Sequence, residues 1–177
     1  MSTLATAIAR PQPGEYNPFY DRYISLVESD DILAALDQQA PQTIALLKSA
    51  SAKADFRYAP GKWTVKEVVG HVNDAERIMT YRALRIARGD KTPIEGFEQD
   101  DYIRDSNFAQ RTLRDLIDEF AAIRQATLSL FRSLDVEAAA RLGIANKNDI
   151  STRALAFIIA GHELHHRRIL AEKYLGA

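Results

Sequence analysis

Three of the chain's four histidines fall within five residues, in the stretch Gly161-His162-Glu163-Leu164-His165-His166-Arg167, and the fourth stands alone at His71. On a helix, residues advance by about 100°, so His162 and His166 lie one turn apart on one face. That face also carries Leu155, Ile158, Ile159, Ile169 and Leu170. Both imidazoles therefore point into the stripe that a helix in water buries. A ring nitrogen removed from water needs a partner, and one divalent metal ion satisfies two of them at once. A single histidine on such a face is more often a hydrogen-bonded core residue. Two on the stripe's centre weigh the metal and core readings about evenly. His165 falls roughly 60° to one side and is assigned a structural or supporting role.

Cysteine is absent, so thiolate ligands, disulfides and a cysteine nucleophile are excluded, and a metal must be held by His, Asp or Glu. His162 to His166 also matches H-E-x-x-H, in which a metalloprotease glutamate acts as general base. That chemistry needs a third ligand beyond the motif and an edge strand for the peptide. No histidine follows His166, and no strand is evident upstream, so the reading is set aside.

The elements that would position these residues are helical. From Ser29 or Asp30, read as an N-cap, Leu33, Leu36, Ala40, Ile44 and Leu47 recur at helical spacing, with Pro41 expected to kink or restart the helix. Tyr58 to Trp63 is turn chemistry, and Thr64 with Glu67 forms a capping box that opens a second helix. Its stripe is Val65, Val68, Val72, Ala75, Met79, Ala83 and Ile86, and Gly89 ends it. A long connection, Asp90 to about Gln110, precedes a third helix marked by Leu113, Leu116, Ile117, Phe120, Ile123, Thr127, Leu130 and Leu134. Asp135 to Ile150 reads as a looser segment, after which Ser151 caps a fourth helix running to Leu175. Four amphipathic helices without a strand signal predict an all-α four-helix bundle, and the long connection predicts a crossover between helices 2 and 3. Residues 1–177 fit one domain, with residues 1–28 as an N-terminal arm packed down by Tyr16, Phe19 and Tyr20.

In such a bundle the second and fourth helices can face each other, which lets His71 complete a set with His162 and His166. Three neutral imidazoles leave coordination positions open and leave the ion's charge intact. That charge would ionise a bound water or thiol near neutral pH. Glu67, one turn before His71, and Glu163 are the nearest candidates for a general base. Asp100 and Asp101 read as an exposed acidic turn ahead of the alternative that they overhang the site from the long connection, Trp63 as a plug at the helix entrance, and Arg167 with Arg168 as a solvated or dipole-complementing pair.

A net charge of -1 with both signs dispersed offers no footprint for nucleic acid or an anionic membrane. Met1 to Arg10 lacks the basic lead-in and apolar length of a secretory signal, and no stretch approaches a membrane span. The expectation is a cytoplasmic protein acting on a small molecule.

The entrance Gly61-Lys62-Trp63-Thr64-Val65-Lys66-Glu67-Val68-Val69-Gly70-His71, the following Asn73-Asp74-Ala75-Glu76-Arg77 and the terminal His162-Glu163-Leu164-His165-His166-Arg167 together resemble the DinB/YfiT-like superfamily. The resemblance extends from the first helix to the last, including the Pro-containing connection around Pro93 to Tyr102. It implies an up-down-down-up bundle, often a homodimer, with a divalent metal such as zinc or nickel on His71, His162 and His166. Some members activate a low-molecular-weight thiol as co-substrate for transfer or isomerisation, and others carry a metal-dependent hydrolase label. The expected function is thiol transfer to a small electrophile, with two alternatives: hydrolysis by metal-bound water, and a non-catalytic metal-binding bundle.

Overall fold

The computed structural model describes residues 8–176; most of the apolar stretch Leu4 to Ile8, and with it the reading of the N-terminus as no secretory signal, falls outside the described residues. The arm begins with a 3-10 turn, Pro18–Tyr20, and the short helix α1, Asp21–Ile24. The first long helix, α2, spans Ile32–Ser49 and is capped by Asp31, whose carboxylate accepts from the Ala34 N–H at 3.0 Å. The cap thus falls one or two residues beyond the expected Ser29 or Asp30. Ser29 shapes the approach, its hydroxyl accepting from the Asp31 N–H. Pro41 lies inside α2 without restarting it. The carbonyl that its missing N–H would have paired belongs to Asp37, an exposed residue, so water meets it.

The second long helix, α3, spans Val65–Ala87 and opens on the capping box: the Thr64 hydroxyl accepts from the Glu67 N–H and the Glu67 carboxylate from the Thr64 N–H. The connection that follows carries α4, Gln99–Arg104, and a 3-10 turn, Phe108–Gln110. Next come α5, Leu113–Arg132, and the short α6, Val136–Ala140. The segment expected to be loose contains a hairpin, β1 Leu142–Ala145 antiparallel to β2 Asn148–Ser151, with Ala145 opposite Asn148. This corrects the all-α expectation. Asn146 and Lys147 both have positive φ, the two-residue turn whose twist matches paired strands. Ile94, from the long connection, joins β1: its N–H donates to Ile144 O, and its own carbonyl accepts from the Asn146 N–H. The connection is thereby tied down at its start. Ser151 then caps α7, Thr152–Ile169, whose last turns, Leu170–Leu175, are π-helical and close on Gly176.

Both α2 and α3 pack against α5 and α7. The interior divides into two main apolar clusters. One is built on Ile32, Leu36, Ala83, Leu128, Phe131, Leu155 and Ile158, the other on Leu47, Val65, Val69, Leu116, Leu170 and Tyr174. Between them Arg124, Glu76, Glu163 and Thr43 are buried as a polar layer, at the level of Ala40, Val72 and Phe120. In the arm, Tyr16 and Tyr20 pack on the core as expected, whereas Phe19 stands half exposed. Glu15 anchors the arm through Ser151 and Arg153. Among the described residues no helix is long and apolar enough to cross a membrane.

The arm reaches α7 because residue 161 is glycine: a Cβ there would overlap the backbone carbonyl of Tyr23. Backbone cannot swing aside as a side chain does. Gly161→Ala is therefore expected to cost about 1–3 kcal/mol of stability, read as a lower urea midpoint with the helical circular dichroism signal retained.

Candidate metal centre

His71 comes from the second turn of α3, and His162 and His166 from successive turns of α7. Their Nε2 atoms converge: that of His162 lies 3.0 Å from that of His71 and 3.1 Å from that of His166. An aromatic nitrogen has either one N–H or one lone pair, so His162 Nε2 can make one good hydrogen bond to these two neighbours, not two. A central cation satisfies all three. Nitrogens bound tetrahedrally to zinc at the usual bond length lie about 3.3 Å apart, close to the spacing seen. The donor set therefore fits a divalent metal. Among the described residues no carboxylate or further histidine joins this group, which leaves the remaining coordination positions without a side-chain ligand.

The rings are held from several sides. Trp63 packs against His71 with centroids 4.9 Å apart, so its role is more local than plugging the helix entrance. The Tyr23 ring meets His162 edge-on at 5.3 Å and His165 at 5.4 Å. His165 stands apart from the convergent nitrogens and meets His166 edge-on. Removal from water pushes the His71 imidazole down to about 4, partly opposed by the negative charge of Asp100. Desolvation and the neighbouring rings hold His162 and His166 well below the ordinary value. All three are thus neutral, the form that binds metal, at neutral pH.

A cleft of about 330 Å³ opens over His166, with Trp63, Tyr58, Lys62, Asp100, Ile169 and Tyr174 among its walls. It has room for a small molecule. Asp100 on α4 is exposed, as expected, and also lines this cleft, so it takes the overhanging position weighed as the alternative. Asp101 does turn away, pairing with Arg104. The two glutamates offered as general bases are committed elsewhere. Glu67 receives the Thr64 N–H and pairs with Arg57 at 3.0 Å, as the cap demands. Glu163 is buried, its oxygens taken by Thr43 and by Arg124, the latter at 2.6 Å. Arg168 pairs with Glu172 on the surface, while Arg167 is half-buried. The residues that sequence reasoning missed are Glu76 and Arg124, which bury their charges beside the histidines. Their only sequence signal is a charge of each sign interrupting a stripe of otherwise apolar or small residues.

The model of the DinB superfamily matches residues 35–170, a span that includes all three convergent histidines, and the chain belongs to that superfamily. Among solved structures it is similar to YfiT from Bacillus subtilis, described as a probable metal-dependent hydrolase with an unusual four-helix bundle topology. The TM-score is 0.72 at 19% identity, over 97% of this chain and 98% of that one. No curated protein matches the chain.

The buried neutral histidines make stability depend on pH. An imidazole whose folded pKa lies below its unfolded value of about 6.5 contributes stability that is complete above that value. The contribution is lost as pH falls through the folded value, about 4 for His71. The metal-free protein is expected to lose stability progressively across this window, and His71→Asn to flatten the dependence. Thermal melts of both proteins from neutral to acid pH check this, and equal slopes would contradict the burial of that ring.

Proposed function

We propose that this chain is a metal-dependent enzyme in which His71, His162 and His166 hold a divalent ion, zinc or nickel. In this reading the protein activates a small nucleophile for attack on an electrophile in the adjoining cleft. The observation that carries the reading is the meeting of three neutral imidazoles, one of which, His166, lines a cleft, with no fourth side chain among the described residues to close the set. A purely structural metal would call for that closure. A bound ion supplies Lewis acidity, lowering the pKa of a water or thiol in an open position.

The protein's own groups have distinct tasks. Trp63 and Tyr23 fix the ring planes of His71 and His162 and cover them with apolar surface. Asp100 makes no ion pair among the described residues and faces the same cleft as His166, so it is the carboxylate we assign to take the nucleophile's proton. The description of YfiT supports water as nucleophile, and hence hydrolysis. Thiol transfer is kept as the second reading because the rim places Lys62 and Asp100, of opposite charge, along one cleft, a pairing suited to a zwitterionic low-molecular-weight thiol. Without cysteine in the chain, that thiol must come from outside. Contacts along the helices support an up-down-down-up arrangement. Positions 73, 76 and 80 of α3 meet 116, 124 and 127 of α5 in the same order, whereas 63 and 71 meet 174 and 162 in reverse.

Replacing His71, His162 or His166 by Ala is expected to reduce bound metal sharply, while His165→Ala keeps it, as measured by elemental analysis after dialysis. Asp100→Asn should retain metal and lose about 10²–10⁴-fold in turnover. Assays of the metal-loaded protein on activated esters, amides and alkylating electrophiles, with and without added thiol, separate the two readings. Turnover that needs metal and His162 but no thiol selects hydrolysis, and strict dependence on thiol selects transfer.

A further inference from the structure

Arg124 is fully buried and is met by two carboxylates that are themselves almost wholly buried. Its Nε and Nη2 donate to the two oxygens of Glu76 at 2.9 and 2.8 Å. Nη2 also donates to Glu163 at 2.6 Å, and Nη1 to the Leu36 carbonyl at 3.0 Å. Thr43 donates to the remaining oxygen of Glu163. The cluster thereby touches all four long helices, with two acids facing one base. Holding helices together does not require that imbalance, since one carboxylate per guanidinium would do.

Two small cavities lie between this cluster and the histidines. One, of about 10 Å³, lies between Glu76 and His162 and is otherwise lined by Val72, Ala75, Met79 and Ile159. The other, also about 10 Å³, lies where Glu163 and Thr43 approach His166. Each is about the size that one water occupies, but only the first carries polar surface on its wall; the second is walled by apolar surface from residues such as Leu47, Val69, Val72, Phe120 and Leu170, where a water finds no partner. The Nε2 atoms of His162 and His166 are committed to their common centre. Nδ1–H is the group each ring has left to donate, and a histidine that binds metal ordinarily gives that proton to a carboxylate, a carbonyl or a water.

We propose that Arg124, Glu76 and Glu163 form an orienting frame for the metal centre, in which Glu76 fixes the His162 imidazole of α7 through a single bridging water and Glu163 holds Arg124, and through it Glu76, in place. Thr43 and Arg124 act one step further out, setting the two carboxylates. These are positioning residues; none lines the cleft. The inference rests on the metal-dependent reading above, and it concerns how firmly the metal is held, not the reaction.

The test compares Glu76→Gln, Glu163→Gln and Thr43→Val with the parent protein. Zinc affinity is measured by chelator competition, the visible spectrum with cobalt in place of zinc, and the fraction folded by circular dichroism. Glutamine keeps the shape while removing charge and one acceptor. Glu76→Gln is expected to bind zinc about 10–100-fold more weakly per folded molecule and to show an altered cobalt spectrum, with Glu163→Gln changing both to a smaller extent. Thr43→Val should move both in the same direction by less. A frame that only ties helices together would lower the melting temperature and leave the zinc affinity of folded protein and the cobalt spectrum unchanged, which overturns the proposal. Should both glutamine variants fail to fold, an unchanged affinity in Thr43→Val overturns it. A parent protein that takes up no zinc, nickel or cobalt overturns the metal-dependent reading itself.

Discussion

A guanidinium with no route to water is tolerable only if its donors are met by acceptors held in place, and in this bundle those acceptors come from three different helices. The Leu36 carbonyl on α2, Glu76 on α3 and Glu163 on α7 must arrive together around Arg124 of α5. Removing one partner from such a buried group typically costs about 3–5 kcal/mol, a large share of the stability of an ordinary domain. Apolar packing tolerates small slips of one helix along another; this constellation does not. The cluster therefore fixes the longitudinal register of the bundle, and with it the height at which His71 on α3 meets His162 and His166 on α7.

That register explains why the histidines can be buried and still converge. Glu163 and Arg124 occupy the layer between the two apolar clusters, and the imidazoles extend that layer toward the cleft. One face of the polar layer is sealed by helices, and the other opens onto Trp63, Lys62 and Asp100. The connection between α3 and α5 supplies Asp100. Its backbone exchange with β1 through Ile94 anchors the start of that connection. Scaffold and cleft are thus built by different means, the first by buried charge and the second by a segment pinned to a hairpin.

Much of this was legible in the sequence where one local rule decides the outcome. The apolar stripes of the four helices, the Thr64–Glu67 capping box and the Ser151 cap follow from spacing alone, and the phase that separates His165 from His162 and His166 follows from the helical period. The hairpin was not legible, because its turn is Asn146-Lys147: Lys147 adopts φ 63°, with no glycine to announce the conformation. Nor was the Arg124 cluster, since a charged residue in a helical pattern reads as surface until its partners on other helices are known. Spacing alone did not decide between an exposed turn and an overhang for Asp100, for a related reason. The path of a long connection is set by tertiary contacts, and sequence spacing carries no record of them.

The match to the superfamily begins at residue 35, yet Tyr23, which lies before it, packs its ring on His162. Gly161 lets that segment's backbone settle directly on α7, so a wall of the centre is built by chain outside the span that defines the family. Two members could share every histidine and every helix and still surround the converging nitrogens differently. Selection acting on the leader segment alone would then retune the environment of His162 without altering a ligand, and divergence in chemistry across such proteins need leave no mark within the bundle that identifies them.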